Sequence, residues 1–199
     1  MPSPENITPE RKARIEHVLG NRQPTLTIVF ENVQDPHNMS AVIRSCDAVG
    51  VLEVHGIYAG LNEFPVLGEK SSASARKWVG VNLHNTVVDC YAVLRAKGFS
   101  IYTTHMSSDA TALHDLDLTQ PIALVFGNEH HGVTDEAREG ADGNFLVPQV
   151  GMIQSLNISV ACAVTLYEAM RQRMAAGMYE TPQIAPQELQ AMVTDWCGR

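Results

Sequence analysis

Two patterns of apolar and polar positions alternate along the chain. Continuous apolar runs rich in β-branched side chains occupy residues 26–30 (LTIVF) and 122–126 (IALVF), as expected of strands buried on both faces. Residues 52–58, 99–103 and 144–147 predict further strands, the last stopped by Pro148. Between them lie helical periods. Thr8-Pro9 is an N-cap and first-turn pair, and Ile15, Val18 and Leu19 follow at helical spacing until Gly20. Asn38 is positioned to cap a helix that runs to Val49 and stops at Gly50, and further helices are expected over 89–97, 155–176 and 186–196. Strands alternating with helices predict an α/β fold with a mostly parallel sheet covered on both faces and a site at the C-terminal ends of the strands. Residues 60–78, rich in small polar side chains and ending near Arg76 and Lys77, read as the one long mobile loop.

Composition narrows the class. The 199 residues are 45% hydrophobic and 18% charged, which excludes a disordered or fibrous chain. No apolar run is long enough to span a bilayer, and the N-terminus lacks a signal core, so a cytoplasmic protein without a membrane partner is expected. Cys46, Cys90, Cys162 and Cys197 are widely spaced and read as reduced, mostly buried thiols. The net charge of −8 argues against a nucleic-acid partner on average, but the charge is polarised. Arg11, Lys12, Arg14 and Arg22 face only Glu16 in residues 11–22, whereas residues 109–142 carry eight acids and only Arg138. A basic arm can touch phosphate while the rest of the molecule stays acidic; a solvated helix face is the alternative.

Three segments could carry chemistry. The first follows the first strand, where Asp35-Pro36 fixes a turn and Arg44 lies within two turns of Asn38. Its guanidinium needs an anion, either a substrate phosphate or an acid such as Asp47 or Glu129. The second is ALVFGNEHHGV, where Gly127 and Gly132 permit close approach to the backbone. His130 and His131 are adjacent, point apart and have no third ligand at matching spacing, so no metal is expected. In the third, residues 146–164, Pro148 and Gly151 shape a loop and Ser155 or Asn157 caps the helix that follows, with Ala161, Cys162 and Ala163 giving it a small-residue face. No GxGxxG, GxxxxGK[ST] or GxSxG motif is present, which removes the usual Rossmann, nucleoside-triphosphate and serine-hydrolase readings.

Taken together, the three segments resemble the SpoU branch of the SPOUT methyltransferases, and within it the TrmH group that 2′-O-methylates tRNA. The matching motifs are Asn38 to Arg44, Gly127-Asn128-Glu129-His130-His131-Gly132, and Val147-Pro148 through Met152 to Ala161. The similarity covers roughly residues 9–180, with a tail that looks shorter than in many relatives. The resemblance implies a SPOUT fold with a C-terminal trefoil knot, S-adenosylmethionine as cofactor, tRNA as substrate, and a homodimer with its site at the subunit interface. It divides the chain into a basic helical arm (1–24), a methyltransferase domain (25–177) and a short helical tail (178–199). By position, it puts cofactor contacts on Thr104, Gly127, Val147 and Leu156. Catalytic roles fall on Asn38, Arg44, Glu129, Ser155 and Asn157, and tRNA contacts on Arg11, Arg14, Arg22, His37, Arg171 and Arg173.

The implied reaction removes the proton of a ribose 2′-hydroxyl as its oxygen is methylated. Arginine is a weak candidate for the base because its pKa exceeds about 12. A charged Arg44 that polarises the hydroxyl is the conservative reading, with Ser155 and Asn157 orienting the ribose and Glu129 holding its loop or Arg44. The D-loop guanosine of tRNA is the expected target. Ribosomal RNA, the wobble ribose of tRNA, or RNA binding without catalysis are the alternatives.

Overall fold

The computed structural model describes residues 7–58, 75–107, 110–153 and 155–199. Seven strands form one sheet: β1 (Leu26–Glu31), β2 (Glu53–Ile57), β3 (Gly80–His84), β4 (Ser100–Thr104), β5 (Thr111–Ala112), β6 (Ile122–Phe126) and β7 (Gly143–Leu146). Their spatial order is β3-β2-β1-β6-β4-β7-β5, and every pairing is parallel. Among the described residues six helices accompany them: α1 (Pro9–Gly20), α2 (Pro36–Val49), α3 (Val87–Ala96), α4 (Asp135–Gly140), α5 (Ile158–Ala175) and α6 (Pro186–Cys197). The mostly parallel α/β sheet expected from the apolar runs is therefore present.

The two continuous runs became β1 and β6, side by side in the sheet centre and buried along their whole length. Alternate residues serve opposite layers. Leu26, Ile28 and Phe30, with Ile122, Leu124 and Phe126, pack with Met39, Ile43 and Cys46 of α2 and with Cys162, Leu166 and Ala169 of α5. Val29, Ala123 and Val125 face the other way, onto Cys90, Tyr91 and Leu94 of α3 and Ala137 of α4. A satellite cluster joins the chain ends: Ile15 and Leu19 of α1 bury against Val193, Trp196 and Cys197 of α6. Among the described residues no helix is long and apolar enough to cross a membrane.

Several local expectations shift. Helix α2 begins at Pro36, and Asp35 caps it by accepting the His37 N–H at 2.8 Å; Asn38 is left free for the site. At its other end Gly50 adopts φ +89°, and a Cβ there would lie 2.5 Å from the Asn21 carbonyl oxygen, so both conformation and space require glycine. The strands β3 and β5 and the helix α4 are not foreseen in the apolar pattern. Strand β3 is a partly exposed edge, β5 has two residues, and α4 is polar except for Ala137. Tertiary partners hold them instead: the buried Glu31 carboxylate accepts from both the hydroxyl and the N–H of Thr134, the α4 cap, and Tyr91 donates to the Ala137 carbonyl at 2.9 Å. Of the expected 60–78 loop, residues 60–74 lie outside the described residues, and Ala75–Lys77 form a 3₁₀ turn.

Candidate active site

The C-terminal ends of β4, β6 and β7 open into a cleft of about 900 Å³. Its apolar floor contains Phe126, Phe145, Ile158 and Ala161, and its rim comes from the loops after the three strands. Thr104, Gly127, Val147 and Leu156 all line it, as do Glu129, Ser155 and Asn157. Residues as far apart as Thr104 and Ala161 thus converge because β4, β6 and β7 lie close together in the sheet.

One hydrogen-bonded relay crosses the rim. Asn38 Nδ2 donates to Glu129 Oε1 at 2.9 Å, and Asn157 Nδ2 donates to Asn38 Oδ1 at 3.1 Å. Asn157 Oδ1 in turn caps α5 by accepting the Ser159 N–H at 2.8 Å and its hydroxyl at 2.6 Å. A carboxylate that only accepts stands at one end and a backbone N–H that only donates at the other, so the orientation of both amides is dictated. Asn157, not Ser155, is the cap. Glu129 is thereby tied to α2 through Asn38, and among the described residues no ion pair or hydrogen bond links it to Arg44.

The turn carrying Glu129 is shaped from within. Asn128 Nδ2 donates to the carbonyl of Asn32, its side-chain oxygen accepts the His130 N–H, and its own carbonyl accepts the Gly132 N–H at 2.8 Å. Gly127 lines the cleft, and the fold has its own need for a glycine there. A Cβ there would lie 2.1 Å from the Gly132 carbonyl carbon, so the glycine is demanded by the protein's own returning backbone.

The arginines separate sharply. Arg44 is exposed on α2, outside the cleft of its own chain, and it pairs with neither Asp47 nor Glu129. Asp47 is instead the partner of Arg22, at 2.5 Å. Arg22 also donates to the Val51 carbonyl at 3.0 Å and lies over the Trp196 ring, wholly buried. Arg173 is wholly buried as well, and its five N–H groups meet the Leu118, Thr25 and Gln120 carbonyls, Thr25 Oγ1 and Gln23 Oε1. Burial lowers its pKa to about 10, which leaves it charged at neutral pH. The assignment of Arg22 and Arg173 to tRNA is therefore corrected: neither can reach a phosphate. Arg11, Arg14 and His37 are exposed, and Arg171 is exposed but held by Glu168 through two bonds of 2.8 and 2.7 Å.

Sequence reasoning missed several rim residues: His105, Met106, Gln149 and Ile153 line the cleft, and Gln34 and Asp35 flank Asn38 and Glu129 in a neighbouring 430 Å³ recess. Their only signal was proximity to strand ends. No Lys or Arg among the described residues lines the cleft, and its carboxylate is Glu129. Such a lining disfavours a polyphosphate and suits an aromatic group bearing a positive charge nearby.

The chain is similar to known proteins over most of its length. The chain is 45% identical over 189 residues, 95% of its length and 96% of the relative, to a tRNA (guanosine(18)-2′-O)-methyltransferase of Thermus thermophilus. It is 44% identical over 173 residues, 87% of its length and 75% of the relative, to the Escherichia coli protein of the same name. Among solved structures, a TrmH/SpoU tRNA modifying enzyme of A. aeolicus superposes with a TM-score of 0.87 at 37% identity, covering 95% of each chain. Residues 25–167 match the SpoU rRNA Methylase family, and the chain belongs to that family.

Proposed function

We propose that this protein transfers a methyl group from S-adenosylmethionine to the ribose 2′-hydroxyl of guanosine-18 in tRNA. The observation that carries this reading is the convergence of Thr104, Gly127, Val147 and Leu156 on one cleft whose rim is crossed by the Asn38–Glu129–Asn157 relay. The volume of that cleft falls in the range of about 300–1,000 Å³ usual for small-molecule sites. Its apolar floor suits an adenine, its strand-end backbone groups suit the polar edges of the nucleoside, and its lack of Lys and Arg suits a cofactor without phosphate. Bound there, S-adenosylmethionine supplies an electrophilic methyl group.

The chain's own groups divide the remaining work. Glu129, Asn38 and Asn157 hold one another, so the loop after β6, the start of α2 and the start of α5 keep a common geometry. Ser155, on the rim, is placed to hydrogen-bond the ribose. Arg44 binds a substrate phosphate and polarises the attacking hydroxyl through its guanidinium. Because Arg44 stands outside its own cleft, it serves the cleft of a second protomer across a two-fold axis. Exposed apolar side chains support that dimer: Val160, Val164 and Tyr167 lie exposed along α5, and Val150, Met152 and Ile153 are exposed at positions preceding it in the chain. The trefoil knot belongs to the same proposal. It is supported by β7 lying inside the sheet, between β4 and β5, and by α5 bonding back to residues 116–120 through Gln172 and Arg173.

The deciding experiment is methyl transfer from labelled cofactor to unmodified tRNA transcripts, followed by mapping of the labelled nucleotide. Label on the guanosine-18 ribose is the expected result. Label at the wobble ribose, on ribosomal RNA alone, or nowhere would sink the proposal.

A further inference from the structure

A second set of chemically capable side chains lies on the other layer of the sheet, none of them lining the cleft. The parallel register of β2 and β3 pairs His55 with Asn82 and Ile57 with His84, so His55 and His84 occupy one face two residues apart in register. That face is covered by α3, and Cys90 points from its second turn into the same layer. His55 and Cys90 are buried and His84 is half-buried. His55 Nδ1 and His84 Nε2 are 2.9 Å apart, their rings meet edge to edge with centroids 5.2 Å apart, and the ligand atoms of all three residues lie within 4.8 Å of one another.

We propose that His55, His84 and Cys90 form a zinc site that fastens the edge strand β3 to β2 and α3. Two imidazole nitrogens and one thiolate are the donor set that a borderline-soft divalent cation prefers. Bonds of about 2.0–2.3 Å around a tetrahedral zinc set donors about 3.3–3.8 Å apart, so the His–His pair opens slightly and Cys90 closes by about 1 Å through side-chain rotation. On coordination the proton between the two rings moves to the outer nitrogen of His84, Nδ1, so both imidazoles stay neutral, and the thiol proton of Cys90 leaves to solvent. Water fills the fourth position.

The surroundings are those of a prepared ligand. The other nitrogen of His55, Nε2, is buried without a hydrogen-bond partner among the described residues, and Glu53 Oε1 stands 3.7 Å from it. That carboxylate is fixed by Lys97 and by Asn82 Nδ2 at 2.9 Å, so it can hold His55 in the tautomer that leaves Nδ1 free to bind a metal. Glu53 and Asp89 together outweigh the positive charge of Lys97 near the three donors. β3 gains most from such a clasp, since among the described residues it is an edge strand with β2 alone as ladder partner.

The test uses the full chain stripped with a chelator and titrated with Zn²⁺ against a chromophoric competitor, in parallel with Co²⁺ substitution. One Zn²⁺ per chain, a cobalt adduct with a thiolate-to-metal charge-transfer band, and a Tm raised by zinc are expected. Cys90→Ala should abolish the band, and both Cys90→Ala and His84→Gln should weaken zinc binding by roughly 100-fold or more. His84→Gln, at a half-buried position, keeps the test valid if Cys90→Ala loosens the core. Zinc affinity unchanged in His84→Gln, or a cobalt spectrum without thiolate character in the wild-type chain, would overturn the proposal and move any bound ion to surface histidines such as His130 and His131.

Discussion

Arginine has no single meaning in this chain, and burial decides among its roles. Arg44 is exposed and has no partner acid among the described residues, so its charge is open to substrate. Arg44→Ala should lower kcat by roughly 10²–10⁴ and leave cofactor affinity nearly unchanged, because polarising the hydroxyl acts in the transition state. Single-turnover kinetics at saturating tRNA measure this; a variant keeping more than about a tenth of the wild-type rate draws less than about 1.4 kcal/mol from Arg44 and removes it from the mechanism. Arg11 and Arg14 stand exposed on α1. Changing both to Ala should flatten the salt dependence of tRNA binding by up to about two contacts' worth of slope and leave folding intact. Arg173→Ala should do the reverse. It strands the buried carbonyls of Leu118, Thr25 and Gln120 without a donor and should cost about 3 kcal/mol or more in a urea titration.

At the scale of elements, α5 couples stability to the site through its first and last turns. Asn157 both caps the helix and donates to Asn38. Asn157→Ser, which retains a good cap, should stay within about 0.5 kcal/mol of wild-type stability yet lose most activity, whereas Asn157→Ala should lose activity and about 1 kcal/mol as well. Equal activity in the serine variant and the wild type would make Asn157 a cap and nothing more. Further along α5, the Arg171 guanidinium, followed by Gln172, holds the Glu168 carboxyl at about 2, against an ordinary 4.5. A depressed carboxylate contributes stability that is complete above its unfolded pKa and disappears as pH falls through the folded one. The urea midpoint of Glu168→Gln should therefore lie below wild type at pH 6, and the gap should narrow steadily from about pH 4.5 towards pH 2. A gap independent of pH would show that the carboxylate charge is immaterial.

For the whole molecule, the shared-site proposal makes an arithmetical prediction. Arg44→Ala and Asn157→Ala homodimers should each be nearly inactive. After subunit exchange in equal amounts, half the dimers are hybrids, and each hybrid has one cleft with an intact Asn157 and a native Arg44 from the other protomer. Activity should then recover to about a quarter of wild type if Arg44 acts across the two-fold axis. No recovery, with hybrid formation verified by mass, would place Arg44 and the cleft in the same chain. Charged substitutions at Val160 and Val164 should dissolve the dimer and abolish activity together, since both residues are exposed on the apolar face of α5.

The elements and motifs that were legible in the amino-acid order were those set by neighbours within a few positions. LTIVF and IALVF had no polar face to expose and became the two central strands; Thr8-Pro9 and Gly50 bounded helices where capping geometry requires them. The three polar loops after strands also pointed to the right end of the sheet. Tertiary structure alone decided which charges remain available. Arg22 and Arg173 look like members of basic segments, yet partners 25 and up to 150 residues away enclose them. The same holds for the relay, whose links span 91 and 119 residues, and for His55, His84 and Cys90, which no spacing rule connects. Strand order brings these groups together, and strand order arises from burying all faces of the sheet at once, a condition that no local window of sequence contains.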